Sequence, residues 1–386
     1  MVRTGSCFAQ VLELIDRGGF EQAVRVLKAE RGAKGFRSWD QFVSMLFCQL
    51  GSAHSLREIC GGLNTAMGRV VHLGLKEAPK RSTLAYANEH RPWELYQQVF
   101  EQLLARSQEL AANRRRPFRF KNPLRVIDAT VIDLCLEMFD WARFRRTKGA
   151  IKLHLQLQDR GCLPCWALVT EGRMHEVRVA QALSFEPGTI VAMDRGYTDY
   201  RLFGRWTAQG VFFVTRMKTN AQYEVIHTIP GGVTGVRKEE WIRLTGHAAR
   251  HCAGTLRRIT VWDQRRQREI VLLTNQFDLS AATIAKVYRY RWQIELFFKA
   301  LKQNLKIKTF VGTSENAVKT QVWTALIAML LLKFLQLKSS WKWSLSNLAA
   351  MLRFNLLTYR DLWAWLDDPF GVPIHEPGAE QLALAL

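Results

Sequence analysis

Leu124-Arg-Val-Ile-Asp-Ala-Thr-Val-Ile132 sets an acidic residue in the middle of an apolar, β-branched run. Aspartate is depleted from strands, yet the flanks of Asp128 read as a central one. A buried carboxylate is costly unless it is paired, hydrogen-bonded or bound to a cation. A neighbouring arginine or backbone amide would satisfy it as well as a ligand would, so this strand alone leaves its role open. Asp133, an odd number of residues further on, points to the opposite face. Residues 151–158 and 164–170 read as two more strands, reached through the basic stretch 143–148 and the turn Asp159-Arg-Gly161. Helix, strand, helix and strand follow at about 175–183, 189–194, 199–209 and 211–217. Three strands and then alternating helices and strands predict an α/β fold built on a mixed sheet covered by helices.

Upstream, residues 8–64 carry helical periodicity, as in Phe42, Met45, Leu46 and Leu50. Ser55 with Glu58 three residues later reads as a helix start. Lys80-Arg-Ser-Thr83 opens another helix that is expected to run past Trp93. Two helices around a short connection could enter a DNA groove, and an ordinary helical domain with solvated charges fits equally. Arg114-Arg-Arg-Pro117 ends the helical pattern and marks the first boundary. Downstream, 219–276 is β-like, punctuated by Gly231-Gly232, Gly235, Gly246 and Gly254, and is read as an insertion. Helices follow over 280–306, 315–338 and 344–356.

The 386 residues carry 55 Lys and Arg against 34 Asp and Glu, a net charge of +21. That excess favours a polyanion partner without naming it. An apolar content of 48% excludes a largely disordered chain. The first residues lack a signal peptide's apolar stretch, and the longest apolar run, 322–332, is too short to span a bilayer. Seven cysteines at irregular spacing suit a reducing compartment. The expectation is a cytoplasmic bacterial protein with no membrane partner.

Asp194 closes the run Thr-Ile-Val-Ala-Met and precedes Arg-Gly-Tyr, the carboxyl end of a strand, where open α/β sheets put ligands. Asp199 is expected to cap the following helix. On one continuous helix, Tyr288, Arg291, Glu295 and Lys302 fall within an arc of about 60° at roughly 100° per residue. Ile294, Phe297 and Leu301 point the other way. A solvated charged face would explain part of this pattern. Carboxylates from two strands and a helix, Asp128, Asp194 and Glu295, are what a two-metal phosphoryl-transfer site requires, and their oxygens suit Mg²⁺ or Mn²⁺. Tyr288, Arg291 and Lys302 would then face DNA phosphates.

Tyr288, Arg291, Glu295 and Lys302, with two, three and six residues between them, resemble the Y-(2)-R-(3)-E-(6)-K signature of the insertion sequence 4 family of DDE transposases. Asp128 in Ile-Asp-Ala-Thr and Asp194 in Asp-Arg-Gly-Tyr fit that family's other acidic positions, and the resemblance extends to Glu30–Trp39 and to Thr147–His154. It implies an RNase H-like catalytic core with a β-rich insertion, flanked by helical N-terminal and C-terminal regions. The expected divisions are 1–116 for transposon-end binding, 117–218 for the first part of the core, and 219–276 for the insertion. Residues 277–312 would carry the helix with Glu295, and 313–386 a region for dimerisation. It further implies cut-and-paste transposition on double-stranded DNA, at terminal inverted repeats and target sites, by a nucleoid-associated homodimer in a paired-end complex with two metal ions. Asp128, Asp194 and Glu295 would be both catalytic residues and metal ligands. Relatives flip a base against an insertion-domain tryptophan, for which Trp241 and Trp262 are the candidates. A decayed copy acting only as a DNA-binding repressor, or a nuclease of the same fold that joins no strands, are the rival readings.

Overall fold

The computed structural model describes residues 5–371 except 67–68, 136, 146–147, 231–234, 265 and 308. Gly231, Gly232, Thr147 and Arg265 therefore lie outside the described residues. The chain begins with helices α1 (Cys7–Leu12), α2 (Arg17–Val26), α3 (Ser38–Leu50), α4 (Leu56–Asn64), α5 (Arg81–His90) and α6 (Glu94–Ala112). Ser55 caps α4 as its sequence predicts: its hydroxyl accepts from the Glu58 amide at 3.2 Å, while the Glu58 carboxylate accepts from the His54 amide at 2.8 Å. The helix expected to run from Lys80 past Trp93 instead stops at His90. Arg91 precedes a proline, whose ring disfavours the helical region for it, and it sits at φ −82°, ψ 140°.

The strands are β1 (Leu124–Leu134), β2 (Arg143–Arg145), β3 (Lys148–Gln158), β4 (Pro164–Glu171), β5 (Ile190–Ala192), β6 (Phe212–Arg216), β7 (Tyr223–Pro230), β8 (Val236–Leu244), β9 (Thr255–Asp263) and β10 (Arg268–Thr274). Between them stand α7 (Glu176–Ala182), α8 (Tyr200–Ala208) and the single turn α9 (Gly246–Ala249). All ten strands form one sheet, ordered β3-β1-β5-β6-β10-β9-β8-β7, with β2 and β4 both paired to β3. β1, β5 and β6 are parallel, and the remaining pairs are antiparallel. The β-rich segment after residue 219 thus continues the main sheet, because β10 pairs with β6.

Residues directly opposite one another in a sheet share a face. Register links Val126 to Ala192, Ala192 to Val214, Val214 to Thr274, Thr274 to Arg257 and Arg257 to Trp241. These six residues draw one line across one face of the sheet. That face is covered by α10 (Ala281–Tyr290), α11 (Trp292–Asn304) and α12 (Glu315–Lys338), whose Ile284, Val287, Phe297 and Leu301 join Val126, Ala192 and Val214 in one core. The other face, with Ile127, Val191, Met193 and Phe213, is covered by Leu202, Phe203 and Trp206 of α8.

α12 is apolar nearly all round and packs against α3, α5, α6, α11 and α13 (Leu345–Asn355), so the helices before and after the sheet share one core. With α14 (Leu362–Asp367) it closes the described chain. At 24 residues α12 is longer than its apolar run, and by length and composition it could cross a bilayer, yet 89% of its most apolar stretch is buried inside the protein. It is the central core helix.

Gly204 lies where α8 meets the chain following α9, and a Cβ added there would stand 1.9 Å from the carbonyl oxygen of His251. Only a residue without a side chain permits that approach. Gly204→Ala is expected to lower unfolding stability by about 1–3 kcal/mol, measured by urea denaturation, because a rigid backbone atom must give way.

Candidate active site

Parallel register decides where the two aspartates meet. Val126 on β1 pairs with Ala192 on β5, and each chain reaches an aspartate two residues later, so Asp128, midway along β1, stands level with Asp194, just past the carboxyl end of β5. Two residues past Val214, level with them on β6, comes Arg216. Asp194 opens a short 3₁₀ turn by accepting from the Gly196 amide at 2.6 Å, and its carbonyl accepts from the Thr215 hydroxyl at 3.0 Å. Asp199 caps α8 through the Leu202 amide at 2.9 Å, as expected.

The third carboxylate arrives on α11. The predicted single helix over 280–306 is two helices joined at Arg291, where the Arg291 amide bonds Tyr288 and the Ile294 amide bonds Arg291, each a three-residue step. The tighter turn leaves the Arg291 side chain pointing at the sheet. Its guanidinium donates to Asp128 Oδ2 at 3.0 Å and to Glu295 Oε1 at 2.7 Å, with the arginine side chain 8% exposed. Asp128 also accepts from the Ala129 amide at 2.8 Å.

Even so, the Asp128 carboxyl is pushed up to about 6, chiefly by burial; Arg291 and the Ala129 amide pull it down, while Asp194 and Glu295 push it further up. One arginine therefore does not neutralise the three acids. Among the described residues no three acidic, histidine or cysteine side chains converge as ligands of one ion. Arg291 stands between Asp128 and Glu295. The donor chemistry suits a hard cation, and a guanidinium holds a place such a cation would take.

Tyr288 is buried, with the Arg291 guanidinium 5.6 Å from its ring centre. Burial pushes its hydroxyl up, Arg291 and Arg216 oppose that, and Asp194 adds to it. Lys302 donates to the Val131 carbonyl of β1 at 2.8 Å, fastening α11 to the strand that carries Asp128. Sequence reasoning brought Asp128, Asp194, Tyr288, Arg291 and Glu295 to this place but missed Arg216. Alternation from Val214 was the available signal. It also missed Tyr197, whose hydroxyl is raised by its own burial and then by the charges of Asp128, Glu176 and Asp194, with Arg291 opposing.

The two tryptophan candidates separate. Trp241 ends the line of residues described above, on the face that bears α10, and is 38% exposed. It stands 5.5 Å from the ring of Phe277 and 5.5 Å from that of His227. Trp262 is adjacent in sequence to Val261, which packs against the core on Trp241's face, so alternation turns Trp262 to the opposite face, where Arg237 lies 5.2 Å over its ring.

The mixed sheet thus brings acids from two neighbouring parallel strands towards a helix-borne glutamate. Residues 119–331 match the family described as Transposase DDE domain, over half the chain, and the protein belongs to that family. The family catalyses DNA cleavage and strand transfer. Residues 4–76 match a family described only as a domain of unknown function, DUF4372. The chain is 33% identical over 246 residues to a probable transposase for insertion sequence element IS5377 of Geobacillus stearothermophilus, covering 62% of this chain and 64% of that relative. It is 32% identical over 265 residues to putative transposase y4zB of Sinorhizobium fredii, covering 66% and 71%. Transposase InsG for insertion sequence element IS4 of Escherichia coli is 25% identical over 179 residues, covering 42% and 39%. The chain thus spans just under two thirds of the first of these relatives.

An acid whose folded-state value is raised stabilises the fold fully below its unfolded value and loses that contribution as pH rises through the raised one. For Asp128 the window runs from about 4 to about 6. Asp128→Asn should therefore match the wild type at pH 4 and exceed it at pH 7.5 by up to about 3 kcal/mol, read from denaturant midpoints at the two pH values. Equal stability at pH 7.5 would show that Asp128 carries no unmet charge.

Proposed function

We propose that this protein is the transposase of a bacterial insertion sequence. It binds the terminal inverted repeats as double-stranded DNA, cuts them with divalent metal, and joins the freed 3′ ends to target DNA. The observation that carries this reading is that register sets Asp128 and Asp194 level on neighbouring chain segments while Arg291 ties Asp128 to Glu295 on the facing helix. Membership of the Transposase DDE domain family supports it. The order β4-β3-β1-β5-β6, antiparallel and then parallel, supports an RNase H-like core formed by residues 117–218 and the helix within 277–312. Residues 219–276 are then an insertion grown onto that sheet's edge. The Tyr288 to Lys302 spacing supports placement in the insertion sequence 4 family. Segment 1–116 would bind the element's ends and 313–386 contribute to a homodimer that pairs two ends at the nucleoid.

Asp128, Asp194 and Glu295 would hold two Mg²⁺ or Mn²⁺ ions, which when bound supply Lewis acidity for the attacking hydroxyl and the leaving oxygen. The chain's own residues do the rest. Arg291, beside the carboxylates, would present its fork to a non-bridging pair of phosphate oxygens. Tyr288 offers a hydroxyl to the same phosphate, and Arg216 adds positive charge on the β6 side. Lys302 positions α11 against β1. Trp241, half-open in an aromatic group on the catalytic face, is the base-stacking residue, and Trp262, facing away, is not.

On a labelled fragment bearing the flanking element's ends with Mg²⁺ or Mn²⁺, Asp128→Ala, Asp194→Ala and Glu295→Ala are each expected to lose at least about 10³-fold in cleavage, about 4 kcal/mol of barrier, while retaining end binding. Normal cutting by any of the three removes that residue from the site, and a wild type that binds but never cuts leaves only the repressor reading. Strand joining in the same reaction separates a transposase from a nuclease. Trp241→Ala should weaken binding of an end with an unpaired terminal base roughly tenfold, with Trp262→Ala near wild type; the reverse order in a titration would reassign the stacking residue.

A further inference from the structure

We infer that the β9–β10 hairpin is a phosphate clamp at the mouth of the carboxylate site, gripping the DNA strand with Arg266 and Arg268. The inference rests on the reading that the site acts on DNA. Its first support is register. β10 runs antiparallel to β6, and Leu272 pairs with Arg216, the last residue of β6. Arg268 lies four residues beyond that pair and is matched to Asp263 of β9. At about 3.4 Å per residue the hairpin therefore overhangs the carboxyl ends of β5 and β6 by roughly 14 Å. Asp194, just past the end of β5, and Asp128, midway along the longer β1, stand level with those ends.

The overhang also leans inward. The Arg266 guanidinium lies 4.8 Å from the ring centre of Trp292, and the same ring has the Arg291 guanidinium 5.9 Å on. Trp292 directly follows the residue that bridges Asp128 and Glu295, so the hairpin tip closes on the neighbour of the catalytic pair. An arginine lying on an indole keeps its planar N–H edge free, and that edge matches two phosphate oxygens. The stack orients the fork before any phosphate arrives.

On the strands leading to this tip three arginines are already committed, while Arg237 lies over Trp262 on the face turned away from the site. Arg243, Arg257 and Arg258 are each paired with a glutamate, Glu224, Glu239 and Glu240. Arg266 and Arg268 are exposed, and among the described residues neither makes an ion pair. Two uncommitted arginines held roughly 14 Å beyond the strand ends reach about four base pairs of duplex, at 3.4 Å per pair along each strand.

Full-length protein titrated with a duplex carrying an element end, over a series of salt concentrations, tests the clamp. Removal of one arginine–phosphate interaction reduces the slope of log Kobs against log salt by about 0.9. Arg266→Ala is expected to lower the slope by about that amount and the Arg266→Ala, Arg268→Ala double variant by roughly twice it, whereas Arg266→Lys keeps the charge and the slope. Replacing single phosphates by neutral methylphosphonates within about four base pairs of the cut should reveal one position where the substitution and Arg266→Ala are not additive. An unchanged slope for Arg266→Ala, or additivity at every position in that window, overturns the clamp while leaving the catalytic reading intact. A wild type that binds no duplex overturns both.

Discussion

Arg291 spans Asp128 on the sheet and Glu295 on its own helix, 3.0 and 2.7 Å away, and most of the site follows from that bridge. Without a cation between them, two partly buried carboxylates facing each other, with Asp194 near, would repel and draw protons from solvent. Removing the arginine from such a set would leave the buried carboxylates uncompensated and cost more than the pair contributes. The bridge thus fixes the approach of α11 to β1, which the Lys302 bond to the Val131 carbonyl extends along the strand. The turn at Arg291, tighter than an α-helix, aims the guanidinium into that gap.

The sheet gives this bridge its partners. Parallel pairing of Val126 with Ala192 sets the two aspartates side by side without either helix layer contributing. Because β10 adds to β6, strands β7 to β10 inherit the same two faces as β1, β5 and β6. Trp241 therefore shares the face of Asp128 although more than a hundred residues of chain lie between them, and the hairpin of β9 and β10 overhangs the end of β5, just past which Asp194 lies. Strands on a separate sheet would have had to be docked to achieve either. Here strand register does it, and α12 locks the result by packing helices from both ends of the chain against one core.

Much of this was legible in the residues. The strand around Asp128, the helix from Glu315 to Lys338 and the caps at Ser55 and Asp199 all follow from alternation, periodicity and capping chemistry. The break before Pro92 was legible too, since the residue before a proline leaves the helical region, but the strong amphipathic pattern on both sides masked it. Arg216 and Arg266 gave no comparable signal. An arginine at a strand end or in a basic hairpin looks solvated until its neighbours across the sheet are known.

The sequence by itself determined the kinds of element and the three acidic positions, because helix and strand periods are local properties and a carboxylate amid β-branched residues is locally anomalous. Only the tertiary structure decided that Arg291 occupies the space between Asp128 and Glu295, that Trp241 and Trp262 face opposite ways, and that β7 to β10 extend the main sheet. Each of these depends on register between strands distant in sequence. Register is fixed by burying whole faces together, a sum over the sheet that no local stretch contains.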